Sequence, residues 1–332
     1  MRRRLLGAAG VPVTELGLGT AAIAGLYTPV SEEAAHAAVQ AAWDAGVRYF
    51  DTAPHYGLGE SERRLGAALA NRPRAACTVS TKVGRLLEPR PGATGDDLAN
   101  GFAVPATHRR VWDFSADGVR RSLEESLRRL GLDRIDLVLL HDPDDHAGQA
   151  FGEAYPALER MRAEGTVGAI GAGMNQTRML TRFLRDTDVD AVLCAGRYTL
   201  LDQSALDELL PEAAARGKSV IMGGVYNSGL LASPRPDARF DYARVPGPLL
   251  DRALAMQAVT ERHGVPLRAA ALRFPLGHPA VAAVLTGARS ADEARDAADM
   301  LRRPVPAALW DELREQGLLP EGAPVPAPGD QP

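Results

Sequence analysis

Ile135-Asp136-Leu137-Val138-Leu139-Leu140-His141 carries five aliphatic residues, no polar alternation and a closing imidazole. A strand with one wet face alternates apolar and polar residues. A continuous apolar run is buried on both faces, as in a parallel sheet covered by helices. Working outward, further strand-like runs occur at 16–20, 47–51, 77–82, 167–172, 189–194, 219–223 and 281–286, most of them rich in Val, Ile and Leu without polar alternation, giving eight candidate strands. Helical patterns lie between them. Ser31 is placed to cap 32–45, which stops before Gly46, and 60–70 follows. Ser115 opens 116–130, which stops at Gly131, and 152–164 stops at Gly165. Further helical runs cover 177–185, 203–216 and 248–263, and Ser290-Ala291-Asp292-Glu293 is a capping box. Eight β-then-α units predict a closed (β/α)8 TIM barrel, because right-handed crossovers lay helices outside a parallel sheet. A doubly wound sheet would carry an early glycine-rich dinucleotide fingerprint. Gly17-x-Gly19 and Gly171-x-Gly173 both lack the third glycine.

Length and charge narrow the function. The chain has 332 residues, 45% of them hydrophobic, and a net charge of −4. That charge offers no basic surplus for a nucleic-acid partner. No apolar run reaches the ~18 residues of a membrane span. The basic start of the chain is broken by Gly10, Pro12 and Glu15, which argues against a signal peptide. Cys77 and Cys194 fall inside predicted strands and read as free buried thiols, the pattern of the reducing cytoplasm. Residues 1–15 predict a small hairpin plugging the barrel bottom. Residues 85–114 are too long for an ordinary βα loop and predict a lid or substrate loop after strand 3. Residues 1–319 read as one barrel domain and the Pro- and Gly-rich 320–332 as a disordered tail.

Four residues fall at or just beyond strand ends: Asp51, Tyr56, Lys82 and His141. In a parallel barrel that rim is where chemistry is done. A phenol of pKa ~10 is a poor acid or base at neutral pH, and a nearby ammonium lowers that value. Lys82 is the candidate ammonium, Asp51 its anchor, and His141 the group that orients a substrate oxygen. Together they suit proton transfer at a carbonyl or alcohol. The accompanying hydride needs a nicotinamide, because no side chain supplies it. The run His141-Asp142-Pro143-Asp144-Asp145-His146 raises metal-dependent hydrolysis as a competing reading. It lacks ligands from other strand ends, since His36, His55, His108, His263 and His278 fall mostly in helices or loops. No metal is expected.

The chain resembles the aldo-keto reductase family in Gly17-Leu18-Gly19-Thr20, in Tyr49-Phe50-Asp51-Thr52-Ala53-Pro54-His55-Tyr56-Gly57 with Glu60-Ser61-Glu62, and in Ser80-Thr81-Lys82-Val83-Gly84. The likeness continues through Ser122-Leu123-Glu124-Glu125-Ser126-Leu127-Arg128-Arg129-Leu130-Gly131 and Ile135–His141 with Asp142. The resemblance implies NAD(P)-dependent interconversion of an alcohol or hemiacetal with a carbonyl or lactone. Tyr56 is then the acid/base, Lys82 and Asp51 its tuning pair, and His141 the orienting residue. Implied cofactor positions are Gly19, Thr20 and Asp51 at the rim and Asn175 for the carboxamide. Gly223, Gly224, Asn227, Ser228, Gly229 and Leu231 fall to the pyrophosphate, and Gly287, Ala288, Arg289, Ser290 and Glu293 to the adenosine phosphate. Met174, Ala195, Gly223 and Ala297 stand where many members carry serine, glutamine, tyrosine and asparagine. NAD and NADP both stay open, with Arg289 inclining to NADP. The segments 195–203 and 223–229 resemble the bacterial dehydrogenases of L-fucose and D-threo-aldoses, and pyridoxal 4-dehydrogenases look similar there. General aldehyde or ketone reduction and a nicotinamide-sensing regulatory subunit are the other readings. Tyr27, His55, Trp112 and Phe114, with Tyr56 and His141, are the candidate substrate contacts. The expected partner is a small molecule, and the expected state a monomer or small homo-oligomer.

Overall fold

The computed structural model describes residues 1–241 and 243–327. Among these, eight parallel strands close a barrel. They are β1 (Leu16–Gly19), β2 (Tyr49–Asp51), β3 (Thr78–Val83), β4 (Ile135–His141), β5 (Val167–Met174), β6 (Ala191–Ala195), β7 (Ser219–Gly223) and β8 (Val281–Gly287). Each pairs with its sequence neighbour, and β8 closes the ring on β1 through Leu285 opposite Gly17. The outer layer contains α1 (Glu32–Asp44), α2 (Glu60–Leu69), α3 (Ala116–Leu130), α4 (Tyr155–Ala163), α5 (Thr177–Asp186), α6 (Leu209–Ala215), α7 (Gly247–Arg262), α8 (Leu267–Arg273), α9 (Ala291–Arg302) and α10 (Ala307–Glu315). No helix among the described residues is long and apolar enough to cross a membrane.

Strand parity splits the interior in two. Leu137 and Leu139 of β4 point into the barrel with Tyr49, Leu193, Ile221 and Leu285. Val138 and Leu140 of the same strand pack on the helix side with Phe50, Val79 and Val83. Side chains alternate along a strand, so the inward set continues 137, 139, 141 on β4 and 49, 51 on β2. Asp51 and His141 are therefore the last inward positions of their strands. Lys82, two places beyond Ser80 on β3, shares that orientation.

The predicted hairpin forms from Arg3–Leu6 and Val11–Thr14, and it sits under the strand starts. Thr78 Oγ1 donates to Pro12 O (2.5 Å), Gly7 N–H to Ser219 Oγ (2.9 Å), and Arg4 to Val281 O (2.8 Å). Leu6, Val11 and Val13 close the inner core from below. The segment 85–114 is structured: Arg85–Pro89 pairs with His108–Trp112, and Asp96–Asp97 with Phe102–Pro105. A bridge from Phe102 to Leu26 ties it to the loop after β1.

Some expectations are corrected. The 203–216 helix begins only at Leu209, because the Gln203 amide donates to Thr199 O and Leu200 O and folds the preceding residues into turns. The 152–164 helix begins earlier than expected: Ala147–Gln149 is already helical and continues through a π-helical turn over Ala150–Ala154 into Tyr155–Ala163. Helices α8 and α10 were not anticipated. The tail expected to be disordered is docked over 320–327: Ala323 is buried, Tyr198 donates to Pro324 O (3.2 Å) and Arg314 to Ala323 O (3.0 Å). The remaining five positions of that expectation, 328–332, lie outside the described residues.

Gly171 tests the closeness of the barrel wall. A Cβ there would lie 1.8 Å from Ala191 O, a backbone atom of the paired strand. Gly171→Ala is therefore expected to lower unfolding stability by about 2–3 kcal/mol through forced strand separation. Urea denaturation with unchanged slope checks this.

Candidate active site

The centre of the site is a buried ion pair. Lys82 Nζ donates to Asp51 Oδ2 at 2.7 Å and to Thr52 O at 2.9 Å, and the two side chains are 2% and 4% exposed. Ser80 Oγ donates to Asp51 Oδ1 at 2.7 Å, fixing the carboxylate from the other side. Burial pushes the Lys82 ammonium towards deprotonation. The charges of Asp51 and Tyr56 and their hydrogen bonds outweigh it, so the pKa is raised and Lys82 stays cationic. Its Nζ lies 4.8 Å from the centre of the Tyr56 ring. Tyr56 reaches this position from the loop between β2 and α2, whose turn is set by Tyr56 N–H donating to Ala53 O (3.1 Å).

His141 stands edge-on to Tyr56, ring centres 5.9 Å apart. Its Nδ1 is buried with no hydrogen-bond partner, and Nε2 is 3.7 Å from Asp142 Oδ2. Burial, followed by the positive charges of Arg85 and Lys82, holds its pKa well below the usual value. His141 is therefore neutral. Behind it, Arg85 forms an ion pair with Asp142 and lies 4.1 Å over the Trp112 ring. Burial raises the Asp142 carboxyl despite Arg85, and its backbone sits at φ 43°.

His55 is the second imidazole at the mouth, 5.6 Å from the His141 ring and 6.0 Å from Tyr56. Burial, then Arg85, Arg110 and Lys82, push its pKa down to about 2. Both histidines and Tyr56, with Tyr27, Asn175 and Arg239, line a cavity of about 660 Å³. The segment from Leu98 to Phe102 forms one wall, so the long loop does cover the site.

Two expected substrate contacts are absent from the cavity lining. Trp112 is the outward partner of Arg85 on the outer hairpin, and Phe114 is fully buried against Gly84, where a Cβ would strike its ring at 2.1 Å. Both lie against the His146 ring instead, Trp112 stacked on it at 5.5 Å and Phe114 tilted at 5.4 Å. Among the described residues, no three of His, Cys, Asp and Glu are grouped to hold a metal ion. Sequence reasoning missed Arg85, Arg110, Asp142 and Arg239. Asp142 had a signal in its position directly after His141. The arginines lie on segments without helix or strand periodicity and had none.

The anticipated cofactor positions lie at the ends of strands β5, β7, β8 and β1. Asn175 lines the cavity and donates from Nδ2 to Ala195 O at 3.3 Å. After β7, Gly224, Asn227, Ser228 and Gly229 all have positive φ (63°, 46°, 57° and 99°). Both polar atoms of the buried Asn227 carboxamide lack partners. An unpartnered buried amide is costly unless a ligand completes it. Gly223 and Ala195 pair as a small floor. Gly287 ends β8, and Ser290 caps α9 by accepting from Glu293 N–H at 3.2 Å. Arg289 there pairs with Glu293 at 2.9 Å. Leu231 and Ala288 are fully buried. Thr20 is not available to a ligand: its hydroxyl is taken up by Asp51 O (2.8 Å) and Ser61 (2.6 Å), with Gly19 beside it on β1. The unpartnered amide and the left-handed loop after β7 fit the polar groups of a nicotinamide dinucleotide.

A closed barrel whose rim carries a caged ammonium, a tyrosine and a neutral imidazole defines a carbonyl–alcohol oxidoreductase. The chain belongs to the aldo/keto reductase family, whose model matches residues 15–316. It is 47% identical to D-threo-aldose 1-dehydrogenase from Pseudomonas sp over 94% of this chain and 97% of that protein. It is 41% identical to pyridoxal 4-dehydrogenase from Microbacterium luteolum, covering 96% and 98% respectively. Among solved structures it resembles the aldo-keto reductase AKR11C1 from Bacillus halodurans in its holo form, with TM-score 0.75, 26% identity and both chains covered completely. It is an NAD(P)-dependent oxidoreductase.

Lys82→Met is expected to lower stability by about 3–5 kcal/mol, because it strands a buried carboxylate, and to abolish turnover. Chemical denaturation and a rate assay check it. The histidines predict an acid limb. Their folded pKa values lie below the unfolded 6.5, so the unfolded chain binds more protons at low pH. Stability is then fully present above 6.5 and lost as pH falls. The loss at pH ~5.5 should be about 1.4 kcal/mol for each of His55 and His141, read from urea unfolding at two pH values.

Proposed function

We propose that the enzyme oxidises an aldose at C1, converting a cyclic hemiacetal to its lactone. The observation that carries this reading is the lining of the cavity. Around Tyr56 stand His55, His141, Asn100, Asn175 and Arg239, whose polar groups suit substrate hydroxyls, beside the apolar Leu26, Phe102, Met174 and Leu193. The 47% relative, itself a dehydrogenase of D-threo-aldoses, supports it.

Each side chain has a separate task. The Lys82 ammonium favours the Tyr56 phenolate, and Asp51 keeps that ammonium in place. Tyr56 takes the proton of the C1 hydroxyl as the C1–H bond breaks. His141, neutral with a single N–H, donates to the same oxygen and fixes its direction. The chemistry that these residues lack, acceptance of the hydride with its two electrons, would be supplied by a bound nicotinamide. In reduction Tyr56 returns the proton to a carbonyl oxygen. Asn175 would hold the carboxamide, the 223–231 segment the pyrophosphate, and the Gly287–Glu293 corner the adenosine end. NADP is the favoured form, because Arg289 at a helix N-terminus suits a 2′-phosphate once it exchanges Glu293 for it. The buried free Cys77 and Cys194 support a cytoplasmic setting, with the protein a monomer or small homo-oligomer. Pyridoxal is a second candidate substrate, supported by the 41% relative and by the aromatic Tyr27 and Phe102 in the cavity lining.

Nicotinamide absorbance with NAD and NADP, each offered L-fucose, D-arabinose, L-galactose and pyridoxal, tests the reading. Oxidation of one aldose is the expected result. Silence with all sugars, together with reduction of simple aldehydes, would sink it. Tyr56→Phe should lose at least about a hundredfold in turnover while binding the cofactor normally by fluorescence titration.

A further inference from the structure

Arg110 reaches from the outer hairpin of the long loop to the residue before Tyr56. Its Nε donates to His55 Nδ1, and one terminal nitrogen donates to His55 O at 2.8 Å. The other face of the guanidinium is held by Asp97, with Nη1 to Oδ1 at 2.8 Å and Nη2 to Oδ2 at 2.5 Å. The side chains of this pair are 11% and 6% exposed, so the contact is internal to the protein. A guanidinium only donates and does not lose its proton in proteins. The nitrogen that meets it must therefore present a lone pair. His55 Nδ1 is the acceptor, and the ring proton is confined to Nε2.

The consequence lies in the cavity, which the His55 ring lines beside His141 and Tyr56. Arg85, Lys82 and His141 also face this ring, and none of them offers a carboxylate to draw a second proton onto it. His55 is thus a neutral imidazole offering one fixed N–H. We propose that Arg110 is a positioning residue that sets substrate specificity by locking His55 as an Nε2–H donor for a hydroxyl next to the reacting carbon. His141 serves the reacting oxygen and His55 its neighbour. This rests on the hydroxylated-substrate reading above and names which oxygen pattern is selected.

Two measurements test it. In protein labelled with ¹⁵N-histidine, His55 should show an unprotonated Nδ1 and a protonated Nε2 from about pH 5 to 9. In Arg110→Met the two nitrogens should move towards a tautomer average. The second measurement is discrimination in kcat/KM between the preferred aldose and its 2-deoxy analogue. It should be about tenfold or more in the wild type and collapse towards unity in both Arg110→Met and His55→Phe. A wild-type Nδ1–H, or discrimination that survives His55→Phe, overturns the proposal. If Arg110→Met does not fold, the wild-type spectrum and His55→Phe still decide it. Glycolaldehyde against acetaldehyde, in the reducing direction, separates the two readings. If no aldose is oxidised but glycolaldehyde is preferred through His55, the aldose assignment fails and the Arg110 proposal stands. If neither pair is discriminated, the proposal fails.

Discussion

Lys82 and Asp51 meet at 2.7 Å inside the barrel mouth, almost wholly removed from water. Removing two charges from water costs several kcal/mol per ion, and their attraction roughly repays it only when geometry and further hydrogen bonds are good. Thr52 O and Ser80 Oγ supply those bonds. The pair is therefore not a stabiliser in its own right. It keeps a positive charge in a dry place next to a phenol. Most of the rim follows from that requirement. The strand ends must bring positions 51 and 82 together, the Tyr56 loop must lie against them, and the imidazoles nearby must stay neutral so that they do not compete.

The neutrality of the imidazoles is an electrostatic result as well as a consequence of burial. Arg85 and Lys82 sit close to both His55 and His141 and oppose a further positive charge. Arg85 and Arg110 are each tied to a carboxylate, Asp142 and Asp97. The result is a mouth rich in fixed donors. Such a mouth can hydrogen-bond several oxygens at once.

The long segment after β3 links these features. It contributes Arg85, Asp97, Phe102 and Arg110, and none of them belongs to the repeating β/α unit. A wall pinned by a buried Arg–Asp pair and a strand bridge holds its shape better than an open loop. Substrate choice can thus be varied on this insertion without touching the tetrad, the usual division of labour in barrels.

Local sequence was sufficient for most strands, because a strand buried on both faces reads as a run without polar alternation, as at 135–141, 167–172 and 281–286. It was also sufficient for Asp51, Lys82 and His141, since residue parity within a strand aims them inward once the barrel is assumed. The capped helices at Ser31, Ser115 and Ser290 were legible for the same local reason. Trp112 and Phe114 were misplaced because an aromatic residue in a loop carries no sign of which way it faces. Arg110, Arg85 and Arg239 were invisible because a long flexible side chain acquires a role only from what the folded chain sets beside it. The docking of 320–327 was missed because proline-rich composition is equally compatible with a solvated tail and with an extended strip lying on a preformed groove. Sequence alone determined the barrel and the rim placement of Asp51, Lys82 and His141, which strand periodicity sets. Only the tertiary structure decided the lid contacts and the tautomer of His55, because those depend on a guanidinium 55 positions away in the chain.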